Sequence, residues 1–159
     1  MNRAIVCAIF GDSGSGKTSF QAFHSKSSGS PTRNILQFKT NIGEINIDTE
    51  CEFYDIPKRA DVALIFVSNK NKDEYALENV NKYCGIIRNK YGNIHIIVCG
   101  TFIASDHKSL EVSESTKRKI VKDNSVVYYD IDNKSSYNCE EAILSIIRNF
   151  FRDEKINFS

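Results

Sequence analysis

The chain has 159 residues, of which 26% are charged, and its formal net charge at pH 7 is +1. This length suits one domain over residues 1–159, and the balanced charge excludes the basic surface that is typical of nucleic-acid-binding proteins. Five widely spaced cysteines without a C-x-x-C pair predict neither a disulfide framework nor a zinc site, and they indicate a reducing compartment.

Membrane attachment is not predicted at any point of the chain. No apolar run reaches the roughly 18 residues that a membrane span needs, and the N-terminus already belongs to a core strand, which leaves no room for a signal peptide. The C-terminal residues contain no cysteine for prenylation. We therefore expect a soluble monomer of the cytoplasm, the nucleus or both, with no nucleic-acid or membrane partner.

Apolar strand-like runs alternate with helical patterns, which is typical of a mostly parallel sheet with helices on both faces. The predicted strands are residues 4–10, 35–39, 44–56, 61–68, 93–100 and 126–131, and the predicted helices are 17–24, 73–91, 115–122 and 138–151. The longest helix places apolar residues at helical spacing: Tyr75, Leu77, Val80, Tyr83, Cys84 and Ile87. A tight turn at 40–43 predicts an antiparallel hairpin at one sheet edge. The predicted fold is α/β, with six strands.

The first strand leads into a phosphate-binding motif, G-x-x-x-x-G-K-[S/T]. Its residues are Gly11, Asp12, Ser13, Gly14, Ser15, Gly16, Lys17 and Thr18. The glycines let successive N–H groups point at phosphates, and the following helix adds its positive N-terminal end. Lys17 would lie against the β- and γ-phosphates, and the Thr18 hydroxyl would bind Mg²⁺. The motif therefore predicts a P-loop NTPase fold.

Three further segments resemble the Ran branch of the Ras-like small GTPases. They are QFKTNIGEI at residues 37–45, IVCG at 97–100, and the run from YYDI at 128–131 through Lys134, Ser135, Tyr137 and Asn138. The resemblance extends over residues 3–151. It implies GTP or GDP with Mg²⁺ as ligands and regulatory or transport proteins of the Ran type as partners, although the acidic C-terminal tail typical of Ran is missing.

The switch motifs that the resemblance implies are damaged. The family's D-x-x-G loop corresponds to residues 55–58, in which Asp55 would hold Mg²⁺, or would simply cap a turn at the end of a strand. Lys58 carries a Cβ where the γ-phosphate requires a glycine, and Pro57 removes an N–H group. No glutamine follows to orient the attacking water, so the second switch is deleted and no catalytic residue is assigned. In the first switch, Thr32 is the candidate Mg²⁺ ligand. The alternative interpretation is that the Ser/Gly-rich loop around it is merely flexible.

The guanine-reading motif N-K-x-D is replaced by residues 101–104, which end in Ala104. Loss of the base-reading carboxylate removes most of the preference for guanine. Phe102 can still stack on a purine, and Asp106 lies two positions further on, where a shifted loop would bring it back to the base. The family's S-A-K is replaced by Asp132, Asn133 and Lys134. Asn133 retains the backbone N–H that reads the guanine oxygen, whereas the effect of Asp132 is left open.

Two functions from different classes follow from this pattern. One is a diverged nucleotide-binding switch that binds GTP or GDP and hydrolyses GTP weakly or not at all. The other is a non-switching pseudo-GTPase that serves as a binding module for Ran-type partners. A P-loop nucleotide kinase is disfavoured because the chain has no insertion long enough for a lid.

Overall fold

Six strands and four helices form the part of the chain that the computed structural model describes, residues 4–12, 14–24, 33–51, 56–102, 112–135 and 137–159. In chain order they are β1 (Ile5–Gly11), α1 (Lys17–His24), β2 (Arg33–Thr40), β3 (Gly43–Cys51), β4 (Val62–Ser68), α2 (Asp73–Tyr91), β5 (His95–Thr101), α3 (Glu114–Asn124), β6 (Val127–Ile131) and α4 (Cys139–Phe151).

The strands form one mixed sheet in the order β2-β3-β1-β4-β5-β6. Only β2 and β3 pair antiparallel, with Leu36 opposite Ile47, and the other neighbouring strands run parallel. The predicted α/β class and the antiparallel edge hairpin are therefore confirmed. Because β1 lies between β3 and β4, its carboxyl end opens near the middle of the sheet edge, where ligands of open α/β sheets bind.

Two apolar clusters fill the two faces of the sheet. Alternate residues of β1 point to opposite faces, since side chains in a strand have a period of two. Ile5, Cys7 and Ile9 pack in the cluster that includes residues of α1 and α4, whereas Ala8 and Phe10 pack in the cluster that includes residues of α2 and α3. This double burial explains why β1 is a continuous apolar run.

Several predicted boundaries need correction. The predicted third strand extends to Ile56, but Ile56 lies outside any strand and β3 ends at Cys51. The fourth and fifth strands begin one and two residues later than predicted. Helix α3 begins at Glu114, because the Ser113 hydroxyl accepts a hydrogen bond from the Thr116 N–H at 3.2 Å and caps the helix.

The last residues of the connection from β3 to β4 lie at the amino end of β1, away from the phosphate motif. Its described residues, 56–61, contain no helix. The Asp61 carboxylate accepts the Val6 N–H at 2.9 Å, and the Asp61 N–H donates to the Val6 carbonyl at 2.8 Å. The hydroxyl of Tyr91, at the end of α2, donates to the Pro57 carbonyl. These contacts place residues 57–61 near the end of the sheet where β1 begins.

Candidate phosphate-binding site

The phosphate motif folds as a tight loop between β1 and α1. Gly11 and Gly16 have φ angles of +147° and +106°, a region that favours glycine. A Cβ added at Gly11 would lie 2.5 Å from the Phe66 carbonyl oxygen, and one at Gly16 would lie 2.9 Å from Thr101 Cγ2. At Gly14 a Cβ would meet nothing within 4 Å. The loop therefore packs closely on β4 at Gly11 and on β5 at Gly16, whereas it has free space at Gly14.

Hydrogen bonds within the loop fix its curvature. The Asp12 carbonyl accepts the Ser15 N–H at 3.1 Å and the Ser15 hydroxyl at 2.6 Å. The Phe20 N–H donates to the Gly16 carbonyl at 3.0 Å and closes a turn of α1. The Lys17 ammonium folds back and donates to the Gly11 carbonyl. Lys17 and the N-terminal end of α1 therefore bring positive charge to the concave side of the loop.

Two polar side chains from the segments that are predicted to contact the base also hold this loop. Thr101, at the end of β5, donates its hydroxyl to the Ser15 carbonyl at 2.7 Å. Asn133, which follows β6, donates its amide to the Gly16 carbonyl at 3.1 Å. The phosphate loop and the predicted base-reading loops are therefore one connected unit at the carboxyl edge of the sheet.

A third contact joins the loop to helix α2 through the Asp12 carboxylate. Tyr75 and Tyr83 donate their hydroxyls to it at 2.5 and 2.8 Å, and the Asn79 amide donates at 2.9 Å. The Lys82 ammonium lies 3.9 Å away. The hydrogen bond from Tyr75, aided by those from Tyr83 and Asn79 and by the Lys82 charge, lowers the pKa of Asp12 despite partial burial. Asp12 is therefore ionised at neutral pH.

A cavity of about 440 Å³ adjoins the phosphate loop on the base side. It is lined by Gly14, Gly16, Ser19, Phe102, Asp132, Asn133 and Lys134. Phe102 is only 7% exposed, its N–H donates to the Ile131 carbonyl at 3.1 Å, and its ring meets Tyr137 edge-on at 5.7 Å. The cavity brings glycines of the phosphate motif together with the residues predicted to contact the base.

Asp132, whose effect the sequence leaves open, stabilises its own loop. Its carboxylate accepts the Lys134 N–H at 3.0 Å and the Ser135 hydroxyl at 2.8 Å, and the residue is 4% exposed. Burial, followed by the charge of Asp132, raises the pKa of Cys139 to about 11. The Cys139 thiol therefore stays protonated and donates to the Asn133 side-chain oxygen at 3.8 Å. Both contacts fix the loop that lines the cavity.

The structure brings nine of the predicted nucleotide contacts to one edge of the sheet: Gly11, Asp12, Gly14, Ser15, Gly16, Lys17, Phe102, Asn133 and Lys134. Ser13, Thr32, Asp55, Ala104, Asp106 and the side chain of Thr18 lie outside what the structure describes.

Sequence reasoning missed the supporting side chains Thr101, Tyr75 and Asn79. Tyr75 was predicted to face the core, but it is 48% exposed and its hydroxyl reaches Asp12. The usable signal was a polar stripe at 75, 79, 82 and 83, which lie on one face of a helix.

The chain matches no protein-family model and no curated protein sequence. None of the helices in the described ranges combines the length and apolarity that crossing a membrane requires. An assignment of function therefore rests on the motif residues and on the geometry of the loop and the cavity.

Proposed function

We propose that this chain is a diverged, Ran-like guanine-nucleotide-binding protein that retains phosphate binding and hydrolyses GTP weakly or not at all. The observation that carries the proposal is the shape of the phosphate loop, which contacts from β5, α2 and the loop after β6 hold around an open concave side. The adjoining cavity extends from that loop to Phe102 and Asn133.

The charge and the space at the loop suit a nucleoside phosphate. Lys17 is the cation nearest the loop carbonyls, and it would exchange its contact with the Gly11 carbonyl for phosphate oxygens. The cavity of about 440 Å³ lies within the range usual for small-molecule sites and includes one aromatic side chain for stacking. A diphosphate or triphosphate on the loop would place its nucleoside in this cavity.

The proposed Mg²⁺ ligands are Thr18, Thr32 and Asp55. Hydroxyl and carboxylate oxygens are the ligands that Mg²⁺ prefers, and nucleoside phosphates bring this cation with them. The motif carries this assignment, since these three side chains lie outside the described residues. When bound, the cation would neutralise the phosphate charge.

Weak hydrolysis follows from the β3–β4 connection. In this chain residues 57–61 are held at the amino end of β1 by Val6 and Tyr91, far from Lys17. Pro57 and Lys58 replace the residues that would sense the γ-phosphate, and no glutamine is present there to orient water. The proposed protein therefore binds phosphates without an efficient means of cleaving them.

The second candidate is the non-switching pseudo-GTPase that binds Ran-type partners through its surface. The contacts of residues 57–61 favour it, because the hydrogen bonds to Val6 and Tyr91 do not depend on a nucleotide at the opposite end of β1. This candidate shares the phosphate site and differs only in whether the bound nucleotide changes the affinity for a partner.

Mass spectrometry of the nucleotide that co-purifies with the protein tests the proposal most directly. We expect GDP or GTP in near-stoichiometric amount, and we expect rebinding of a fluorescent GDP analogue after removal of Mg²⁺ and nucleotide with a chelator. Protein that carries no nucleotide and binds none of GDP, GTP and ATP in titrations would exclude a phosphate site at this loop.

A further inference from the structure

The loop that the motif predicts to bind phosphates contains a carboxylate. Asp12 directly follows Gly11 in the phosphate loop, and it is ionised at neutral pH. Electrostatics alone makes such a charge unfavourable beside a polyphosphate, because like charges at short range repel one another. The loop therefore needs either to lose this carboxylate or to direct it away from the ligand.

The structure shows where the carboxylate is directed. Both oxygens are engaged by helix α2: Tyr75 and Asn79 donate to one and Tyr83 donates to the other. The charged groups near it are Lys82 on α2, at 3.9 Å, and Lys17 on α1, which donates to the carbonyl of the preceding Gly11. The carboxylate is thus satisfied by α2 and oriented away from the Gly11–Lys17 contact.

The backbone of Asp12 is fixed as firmly as its side chain. Its carbonyl accepts two hydrogen bonds from Ser15, and these set the curvature of the loop. Tyr83 is itself held in the core by burial and by its ring contact with Phe10 at 6.0 Å. Helix α2 therefore provides a rigid support that reaches the loop through a single residue.

We propose that Asp12 is a positioning residue: by accepting hydrogen bonds from Tyr75, Asn79 and Tyr83, it holds the phosphate loop in its binding shape without touching the phosphates. This inference rests on the proposed nucleotide site and adds helix α2 to it. The role is distinct from that of Lys17, which contacts the phosphates directly and compensates their charge.

The test measures affinity for a fluorescent GDP analogue with Mg²⁺, using full-length variants whose melting temperatures are determined in parallel. Asp12→Ala is expected to weaken binding by roughly tenfold or more, mainly through faster dissociation, because the loop loses its support. Asp12→Asn, which keeps acceptor oxygen, is expected to recover part of this loss. Tyr75→Phe and Tyr83→Phe keep their rings and are expected to weaken binding by about threefold each.

A double-mutant cycle separates positioning from a general structural effect. Asp12→Ala combined with Tyr83→Phe is expected to bind no more weakly than Asp12→Ala alone, because both changes remove one interaction. The matched control is Tyr91→Phe, which removes a hydroxyl from the same helix at its far end and is expected to leave affinity within about twofold of wild type.

The sign of the Asp12→Ala effect decides the question. If Asp12 acts only as a charge near the phosphates, its removal tightens binding. If Asp12→Ala binds the GDP analogue as tightly as wild type or more tightly, while Lys17→Ala still fails to bind it, the positioning role is wrong and the proposed phosphate site is retained. Failure of the wild-type protein to bind, or equal binding by Lys17→Ala, would instead overturn the proposed function, and the positioning role with it.

Discussion

The phosphate loop and residues 57–61 of the β3–β4 connection contact the same two elements, β1 and α2, at opposite ends. The loop follows Gly11 and contacts the first turns of α2 through Asp12, whereas the connection contacts Val6 and the last residue of α2, Tyr91. Gly11 lies five positions further along the strand than Val6, or roughly 16 Å. The candidate phosphate site and residues 57–61 therefore lie at opposite ends of β1. If the proposed site binds phosphate, binding and sensing of the phosphate would be separable in this chain.

The largest expected effect contrasts one lysine from each region. Lys17→Ala removes the cation at the loop and is expected to weaken GDP binding by roughly a hundredfold or more, since charge-assisted hydrogen bonds to phosphate are lost. The matched variant is Lys58→Ala, an exposed lysine of the connection, which is expected to bind GDP as wild type does. Fluorescence titration measures both, and circular dichroism checks that both fold.

Equal losses in the two lysine variants would break the comparison, because the connection would then have to reach the phosphates. Equal affinity of Lys17→Ala and wild type would show that the loop does not bind phosphate at all.

A glycine substitution in the loop tests how firmly the loop backbone is held. Gly16→Ala is expected to lower the free energy of unfolding by about 2 kcal/mol or more, because φ at +106° is strained for alanine and its Cβ would meet Thr101 at 2.9 Å. Gly85→Ala, at an exposed position in α2 with nothing within 4 Å, is the control and is expected to stabilise by about 0.5–1 kcal/mol. Denaturant unfolding measures both. A neutral Gly16→Ala would mean that the loop adapts freely.

Much of the fold could be predicted because each main element carries a local signal. The apolar run of β1 and the turn at 40–43 can be recognised from the residues of each segment alone. The segment after α4 carries no such signal. Ile156 is fully buried, and Phe158 packs on Phe38 at 5.5 Å, because a pairing between Phe158 and Thr40 brings the last residues of the sequence against β2. Contacts between residues so far apart leave no periodicity to read.

The site could be predicted where a motif fixes both residue type and spacing. The glycines and Lys17 are of this kind. The motif comparison identifies Thr101 only as the loss of an asparagine, although its hydroxyl holds the phosphate loop. The sequence indicates no role for Asp132, because its hydrogen bonds are made within its own turn. Such supporting contacts depend on which strand ends become neighbours in the sheet, and residue spacing does not encode that.

The contact from β5 provides a smaller test of how the loop is held. Thr101→Val removes the hydroxyl that reaches the Ser15 carbonyl at 2.7 Å, and it is expected to cost about 1 kcal/mol of GDP binding free energy, or roughly fivefold in affinity. Thr101→Ser keeps the hydroxyl and is the control, expected to bind nearly as wild type does. Isothermal titration of both variants would contradict the support role if Thr101→Val retained full affinity.

Base selectivity is expected to be an effect of similar size. A site built around a base-reading carboxylate discriminates by about 10⁴ to 10⁵, and here Thr101, Phe102 and Ala104 replace the residues that read guanine. The Asp132 carboxylate is engaged by Lys134 and Ser135 within its own loop. We therefore expect GDP to be preferred over ADP by roughly tenfold or less in a competition titration. Strong discrimination that Asp106→Ala erases would show that Asp106 has taken the place of the missing carboxylate.

The smallest expected effect is the difference between the two nucleotide states. A ligand that contacts two conformations equally does not shift their populations, however tightly it binds. Because residues 57–61 are held at the amino end of β1, a γ-phosphate at Lys17 has no contact there through which to bias them. We expect the same hydrogen-exchange pattern across residues 25–59 with GDP and with a GTP analogue, and similar affinity for any partner.

The rate of GTP hydrolysis provides a second test of this prediction. Ras-like GTPases with intact motifs hydrolyse GTP at roughly 10⁻⁴ to 10⁻³ per second when no activator is present. Because this chain has no water-orienting glutamine at the corresponding position, its hydrolysis rate is expected to be near the uncatalysed rate in a single-turnover assay. Lys58→Gly, which restores the glycine of the motif, is expected to change neither rate nor exchange, because position 58 lies at the wrong end of β1. If the triphosphate instead sharply protects residues 25–32 and turnover runs at the ordinary intrinsic rate, the protein is a working switch. Thr32→Ala should then abolish that protection, since Thr32 is the candidate for closing on Mg²⁺ and the γ-phosphate.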